Sequence, residues 1–259
     1  MNKKKENLLK SLIAIIIILS GIYVGKDTIV DKNLSVNQTP DVDNTQKIEK
    51  NIDVNKGNNI DQVDNVDKGL IKEKYRGKPY IHLKKKPKFI LTKSRYKSYS
   101  AHDSLGRCGV AEACVDKNDM PKRKRRGSIG MIKPSGWHTI RYNNVDGKYL
   151  YNRCHLLAWS ITGTLKDDRN LITGTRYMNI KGMCDQEEKI RRYLKYSNNH
   201  VMYRVTPVFK GKELVARGVH IEVRSVEDDK LIINDYAFNV QPGIVIDYSN
   251  GNSRSENSN

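Results

Sequence analysis

An alternating run from Gly136 to Tyr142 is followed by a turn at Asn143-Asn144-Val145-Asp146-Gly147 and a returning run from Lys148 to Arg153. Period-two alternation around an Asp-Gly turn predicts a β-hairpin over 136–153. The stretch Arg176 to Tyr196 then favours helix, with Ile190 and Leu194 four apart on one face and Gly182 as an interruption. Beyond it, His200–Phe209 and Leu214–Val226 read as strands joined by a turn at Gly211, and Leu231–Val240 reads as another. Two strands, a helix and a succession of antiparallel strands specify an α+β domain, with a central antiparallel sheet and flanking helices.

The rest of the chain frames that domain. Met1-Asn2-Lys3-Lys4-Lys5 precedes an apolar stretch in which Leu12 to Leu19 is uninterrupted. A basic start and an apolar core predict an export signal over 1–25, either cleaved or kept as a membrane anchor that leaves the bulk of the chain outside. Residues 26–70 contain no aromatic residue. They cannot bury enough apolar area to offset ordering, so a disordered tether is expected there. The domain is expected over 71–248, with a flexible polar tail over 249–259.

Charge follows the same partition. The chain has 259 residues and a net charge of +18. Residues 1–70 hold 10 Lys+Arg and 10 Asp+Glu, so the remaining 37 Lys+Arg and 19 Asp+Glu place the whole excess in residues 71–259. A field of that sign draws in polyanions and supplies sequence-independent affinity for nucleic acid. Lys122, Arg123, Lys124, Arg125 and Arg126 form one candidate backbone-tracking run, which reads equally as a solvated face or a protease processing site. Arg176, at the start of the helical stretch, is a further candidate contact.

The second strand ends in Asn152-Arg153-Cys154-His155, and Asn170 and Asn179 follow. Hydrolysis of a phosphodiester needs a base for the attacking water and a cation for the developing charge. His155 is the candidate base, since imidazole accepts a proton near neutral pH. His82, His102, His138, His200 and His220 have no comparable neighbours and are assigned structural or surface roles. The neutral amide oxygen of Asn179 suits Mg²⁺, which keeps several waters and needs few protein ligands. Asn170 and Asn179 also read as helix-end or packing residues. Glu187, eight residues past Asn179, would lie 80° off its face on an unbroken α-helix, within reach of one cation. Alternation places Arg153 on the face of His155, as a phosphate clamp or as a packed stem.

Of the four cysteines, Cys108 and Cys114 are close enough in sequence to staple one loop, and they are the disulfide candidates. No C-x-x-C pair supports a zinc site.

These residues resemble the DNA/RNA non-specific endonucleases of the ββα-metal superfamily, especially the exported bacterial group that includes competence DNA-entry nucleases and streptococcal secreted DNases. The motif usually written Asp-Arg-Gly-His stands here as Asn152-Arg153-Cys154-His155. The downstream pattern appears as Asn170-Leu171-Ile172-Thr173-Gly174-Thr175-Arg176-Tyr177-Met178-Asn179. The likeness continues through Tyr203-Arg204-Val205-Thr206-Pro207 and Asn239-Val240-Gln241-Pro242-Gly243. It implies a ββα-metal core, with His155 as general base, Asn179 as the single protein ligand of a hydrated Mg²⁺ (Mn²⁺ substituting), and Glu187 orienting metal-bound water. Asn170 and Arg153 would assist near the scissile phosphate. DNA and RNA are the implied partners, without a small-molecule cofactor, and the implied location is extracellular or the outer face of the membrane. Asn152 and Cys154 depart from the usual aspartate and glycine.

Two other readings compete. One is a membrane-anchored, non-catalytic DNA receptor on a nuclease scaffold, whose hallmark would be loss of the base or the metal ligand. The other is a polyanion-binding cell-wall protein, which leaves the histidine–asparagine arrangement to chance.

Overall fold

The computed structural model describes residues 69–124 and 127–256, which fall within one of the chain's two units, Asn55–Asn259. The signal or anchor over 1–25 and nearly all of the tether over 26–70 lie outside the described residues. Leu70, at the boundary, is buried with Val208, Tyr236 and Phe238.

Six strands form one antiparallel sheet. They are β1 (Tyr80–His82), β2 (Tyr96–Tyr99), β3 (Ala111–Val115), β6 (Val201–Val208), β7 (Gly218–Ser225) and β8 (Ile232–Phe238), in the order β1-β8-β7-β6-β3-β2. The last three are the strands expected from sequence, and β6 and β7 pair in unbroken register from Val201↔Ser225 to Val208↔Gly218. Across the sheet, Arg204 of β6 stands opposite Glu112 of β3 and Glu222 of β7. It bonds both carboxylates, so opposite charges meet on adjacent strands.

A second layer covers the sheet. Strand β4 (Tyr151–His155) is followed by a one-turn helix, α1 (Trp159–Thr162), and pairs antiparallel with β5 (Leu171–Thr175). β5 leads through a π-helical segment, Met178–Met183, into helix α2 (Cys184–Tyr196). Buried Gln186, Ile190 and Leu194 recur every four residues and form the stripe that packs inward. Cys154, Met178, Met183, Ile190 and Leu194 share one buried core with Ala113, Tyr203, Val205, Ile221 and Ala237 of the sheet. The chain is therefore an α+β protein, mostly antiparallel sheet with few helices.

Two expectations are corrected. The hairpin over 136–153 is reduced to one bridge, Arg141↔Tyr149, flanked by backbone bonds from Tyr142 N to Lys148 O and from Leu150 N to Ile140 O. β4 pairs instead with β5, which is buried along its whole length, so that ladder is the one that excludes water. The tail from Ser249 does not behave as a free end through its described part. Strand β10 (Ser253–Ser255) pairs with β9 (Ile244–Ile246), and Tyr151 Oη donates to the carbonyl of buried Gly251 at 2.9 Å. These strands back a smaller core of Val145, Leu150, Tyr151 and Ile244.

Candidate active site

Strand β4 separates its side chains by face. Cys154 points inward, fully buried against Met178 of the π-helical segment and the backbone of Gly174 on the paired strand. A β-carbon at 174 would collide with the Cys154 sulfur, so the side chain that fills the usual glycine position is accommodated by a glycine diagonally across on the paired strand. Neighbouring Asn152 keeps its Nδ2 buried without a hydrogen-bond partner among the described residues.

His155 ends the strand half-buried. Its Nε2 meets the carbonyl oxygen of Leu165 at 3.1 Å. A carbonyl can only accept, so Nε2 donates and the neutral ring carries its lone pair on Nδ1. A second lock follows at once. The Oδ1 of fully buried Asn170 accepts from Leu157 N at 2.8 Å, and its Nδ2 donates to Leu157 O at 3.0 Å. The Asn170 backbone oxygen accepts from Leu156 N. Expected beside a phosphate, Asn170 is instead committed to the backbone that leaves His155.

Arg153 is similarly engaged. Its guanidinium donates to the carbonyls of Ile132 and, at 2.6 Å, Gly130, and it stacks 3.9 Å from the Trp137 ring centroid. Of the two readings of this residue, the packed and bonded one describes it here. It pins the loop over 130–137 against β4.

Asn179 lies in the π-helical segment, half-buried. Its side-chain amide makes no hydrogen bond among the described residues, whereas its backbone oxygen accepts from Cys184 Sγ at 3.1 Å. A π turn, closed by i→i+5 bonds, rotates roughly 80–90° per residue rather than 100°. Counting Asn179 to Met183 at that rate and the next four residues as α-helix brings Glu187 within roughly 40° of the Asn179 face. The 80° expected for an unbroken helix is thereby corrected. Glu187 is half-buried, with no ion pair or hydrogen bond among the described residues, and desolvation pushes its carboxyl up to about 7. It lies in the electrostatic neighbourhood of Cys154, one residue from His155, and of Cys184, which bonds Asn179. Glu187 thus lies toward both β4 and the segment that bears Asn179.

The β5-to-helix junction is clamped by residues to which sequence reasoning assigned no role. Asn239, fully buried, accepts from Thr175 N at 2.8 Å and donates to the carbonyls of Thr173 and Ala216. Gln241 accepts from Tyr177 N at 3.1 Å. Thr175 Oγ1 donates to Val240 O at 2.6 Å and accepts from Met178 N at 3.0 Å. The signal available in sequence was the Asn-Val-Gln-Pro-Gly run itself, which carried a likeness without a function.

The basic candidates divide. Lys122, Arg123 and Lys124 are exposed and form no ion pair among the described residues; Arg125 and Arg126 lie outside them. Gly127, which follows, sits against Leu165 and Lys166, the segment whose carbonyl holds His155. Arg176 is not solitary, since its guanidinium binds Asp146 at 2.9 and 3.1 Å. Cys108 and Cys114, the disulfide candidates, are both free. Their thiols donate to different carbonyls, those of Leu171 and Thr92, and the extended backbone of β3 carries Cys114 about 10 Å beyond Ala111. A disulfide requires α-carbons within about 7 Å.

Among the described residues no group of three or more His, Cys, Asp or Glu could hold a metal ion. Asn179 and Glu187 offer one amide and one carboxyl without partners among the described residues, a set suited to a hard cation that keeps most of its own water. Together with an imidazole of fixed tautomer, these groups can bind a hydrated cation and accept a proton from water.

Residues 89–227 match the family model described as DNA/RNA non-specific endonuclease. Among solved structures, the chain is similar to NucA from Streptococcus agalactiae with magnesium ion bound, at 25% identity and a TM-score of 0.57, covering 63% of this chain and 79% of that one. It is also similar to the Sda1 nuclease with bound zinc ion, at 28% identity and a TM-score of 0.54, covering 62% and 81%. A structure described as an extracellular endonuclease, at 18% identity and a TM-score of 0.51, shares the fold. The matched segment spans more than half of the chain and contains His155, Asn179 and Glu187, and the chain belongs to the DNA/RNA non-specific endonuclease family.

Proposed function

We propose that the chain is an exported endonuclease that hydrolyses phosphodiester bonds of DNA and RNA without sequence preference, using one hydrated Mg²⁺. The observation that carries this reading is the pair of half-buried groups Asn179, in the π-helical segment, and Glu187, in the helix that follows, neither of which bonds another group among the described residues. Asn179 would hold the cation through its amide oxygen, with Glu187 orienting a cation-bound water. That NucA is seen with magnesium and Sda1 with zinc supports a divalent ion. Such a cation, when bound, offsets the charge that builds on the phosphate and the leaving oxygen.

The protein's own groups supply the remainder. His155, held by Leu165 O at one ring nitrogen, is assigned as the proton acceptor for the attacking water. The Asn170 lock on Leu157 and the Arg153 anchor on Gly130 and Ile132 hold the strand end in place, and we assign both as positioning residues. Export is read from the basic start and apolar core of residues 1–25, and the tether from residues 26–70; among the described residues no helix is long and apolar enough to cross a membrane.

The test is degradation of plasmid DNA by the purified full chain with Mg²⁺, and with the cation removed by EDTA. Cutting in Mg²⁺ that stops in EDTA, and that falls by about 10²–10⁴-fold in His155→Ala with unchanged circular dichroism, is expected. A shifted but uncut plasmid in Mg²⁺ would instead establish a binding protein. Full activity of His155→Ala would reject the assigned base.

A further inference from the structure

Beyond the strand that carries His155 lies a surface with no role in the scheme above. The turn over 141–149 and the end of β10 enclose a cleft of about 690 Å³, lined by Arg141, Tyr142, Asn143, Asn144, Lys148 and Ser255. Arg141 and Lys148 are exposed, and neither forms an ion pair among the described residues. Tyr149 is 46% exposed, and the Arg141 guanidinium lies 4.7 Å from its ring centroid. A cation over one face of a ring leaves the other face for a second planar group.

The backbone presents these groups rigidly. Gly147 and Lys148 both have positive φ, 69° and 66°. Glycine adopts that conformation freely, whereas lysine does not, so a long cationic side chain is kept where glycine would fit more easily. Tyr142 N bonds Lys148 O, Tyr142 Oη bonds Ser253 Oγ at 2.8 Å, and Val145 is buried beneath. The turn is also tied to the helix that bears Asn179. Asp146 binds Arg176, three residues before Asn179, a rise of about 4.5 Å along a helix.

We propose that this cleft is a subsite for a nucleic-acid strand, where Arg141 and Lys148 bind backbone phosphates and Tyr149 stacks on a base. The inference rests on the nuclease reading and extends it to substrate outside the scissile bond. Charge selects a polyanion and the exposed ring selects one with planar bases, a combination that holds single strands with little sequence preference. Interactions of this kind bind substrate and transition state alike, so removing them raises KM and leaves kcat unchanged.

Two substrates separate the possibilities: a fluorescein-labelled single-stranded DNA of about 16 nucleotides, long enough to span such a surface, and bis(p-nitrophenyl) phosphate, too small to reach the cleft. Binding of the oligonucleotide is measured by anisotropy in EDTA with the full chain. The double variant R141A/K148A should weaken binding about tenfold and lower the salt slope by about 0.7 for each phosphate that is no longer neutralised. Tyr149→Leu should weaken binding about tenfold, and Tyr149→Phe should retain wild-type affinity. Turnover of the small diester should stay at the wild-type rate in all three variants. Wild-type affinity and salt slope in R141A/K148A, or equal loss on both substrates, would overturn the subsite. Failure of the wild-type chain to cut either substrate would instead overturn the nuclease reading, because the anisotropy still reports the cleft.

Discussion

The six-stranded sheet and the β4–β5–helix layer treat their polar groups differently. In the sheet, charges are closed on one another. Arg204 bonds Glu112 and Glu222, and Asp235, only 1% exposed, meets both His82 at 2.6 Å and Gln186 at 2.8 Å. In the layer above, Asn179 and Glu187 point polar atoms at nothing the described residues supply. Burying a carboxyl without a partner costs stability, and a fold retains such a group where a ligand makes use of it. On the proposed reading, the contrast sets the two candidate site groups apart from the paired charges of the sheet.

The contrast breaks most visibly if the two regions are mutated in parallel. Asn179→Ala should reduce DNA cleavage by two or more orders of magnitude with little change in Tm, since its amide holds no partner among the described residues; nuclease rates and thermal melts check this. Arg204→Ala should do the reverse. Stranding two half-buried carboxylates should cost about 3 kcal/mol of stability, read by urea unfolding, while kcat below the melting range stays near wild type. If both variants lost activity and stability together, the division would be wrong.

A smaller, mixed effect is expected where the regions join. Asn239→Ala removes three bonds from the β5-to-helix junction, leaving the Thr175 amide and two carbonyls to find other partners. A loss of about 2 kcal/mol should accompany a drop in kcat, because the clamp sets the helix start. Unchanged kcat at unchanged KM would show that the clamp serves stability alone.

The smallest effect concerns Glu187 and depends on pH. Its folded-state pKa, about 7, lies above the ordinary carboxylate value of 4.5. As pH rises between those values, the unfolded chain gives up the proton and the folded chain keeps it, so the associated stability is present below 4.5 and lost by the time pH passes 7. Glu187→Gln should therefore raise Tm by a few degrees above pH 7 and leave it unchanged in acid. Added Mg²⁺ should stabilise the wild type above pH 7 more than it stabilises the variant, with both trends read by calorimetry.

Much of this is legible in the chain. Alternation locates β6, β7 and β8, and the spacing of Ile190 and Leu194 locates the inward stripe of α2. The partner of β4 is not, because the nearest alternating run is 136–142, whereas Leu171-Ile172-Thr173-Gly174-Thr175 lies farther along and is buried on both faces. Side chains bound to distant backbone are equally hidden. Asn170 meets Leu157 thirteen residues away and Asn239 meets Thr175 across 64, and no local pattern announces either pair. The π-helical segment leaves little trace for the same reason, since only Gly182 marks the stretch as irregular.

That segment sets the phase of everything behind it. Wound throughout as an ordinary α-helix, the same eight residues would leave Glu187 about 80° from the Asn179 face, while Ile190 and Leu194 remained seated in the core. Tightening this one turn without changing its length would therefore leave a well-packed protein whose two uncommitted groups address different directions, so backbone winding here is as much a part of the chemistry as residue identity.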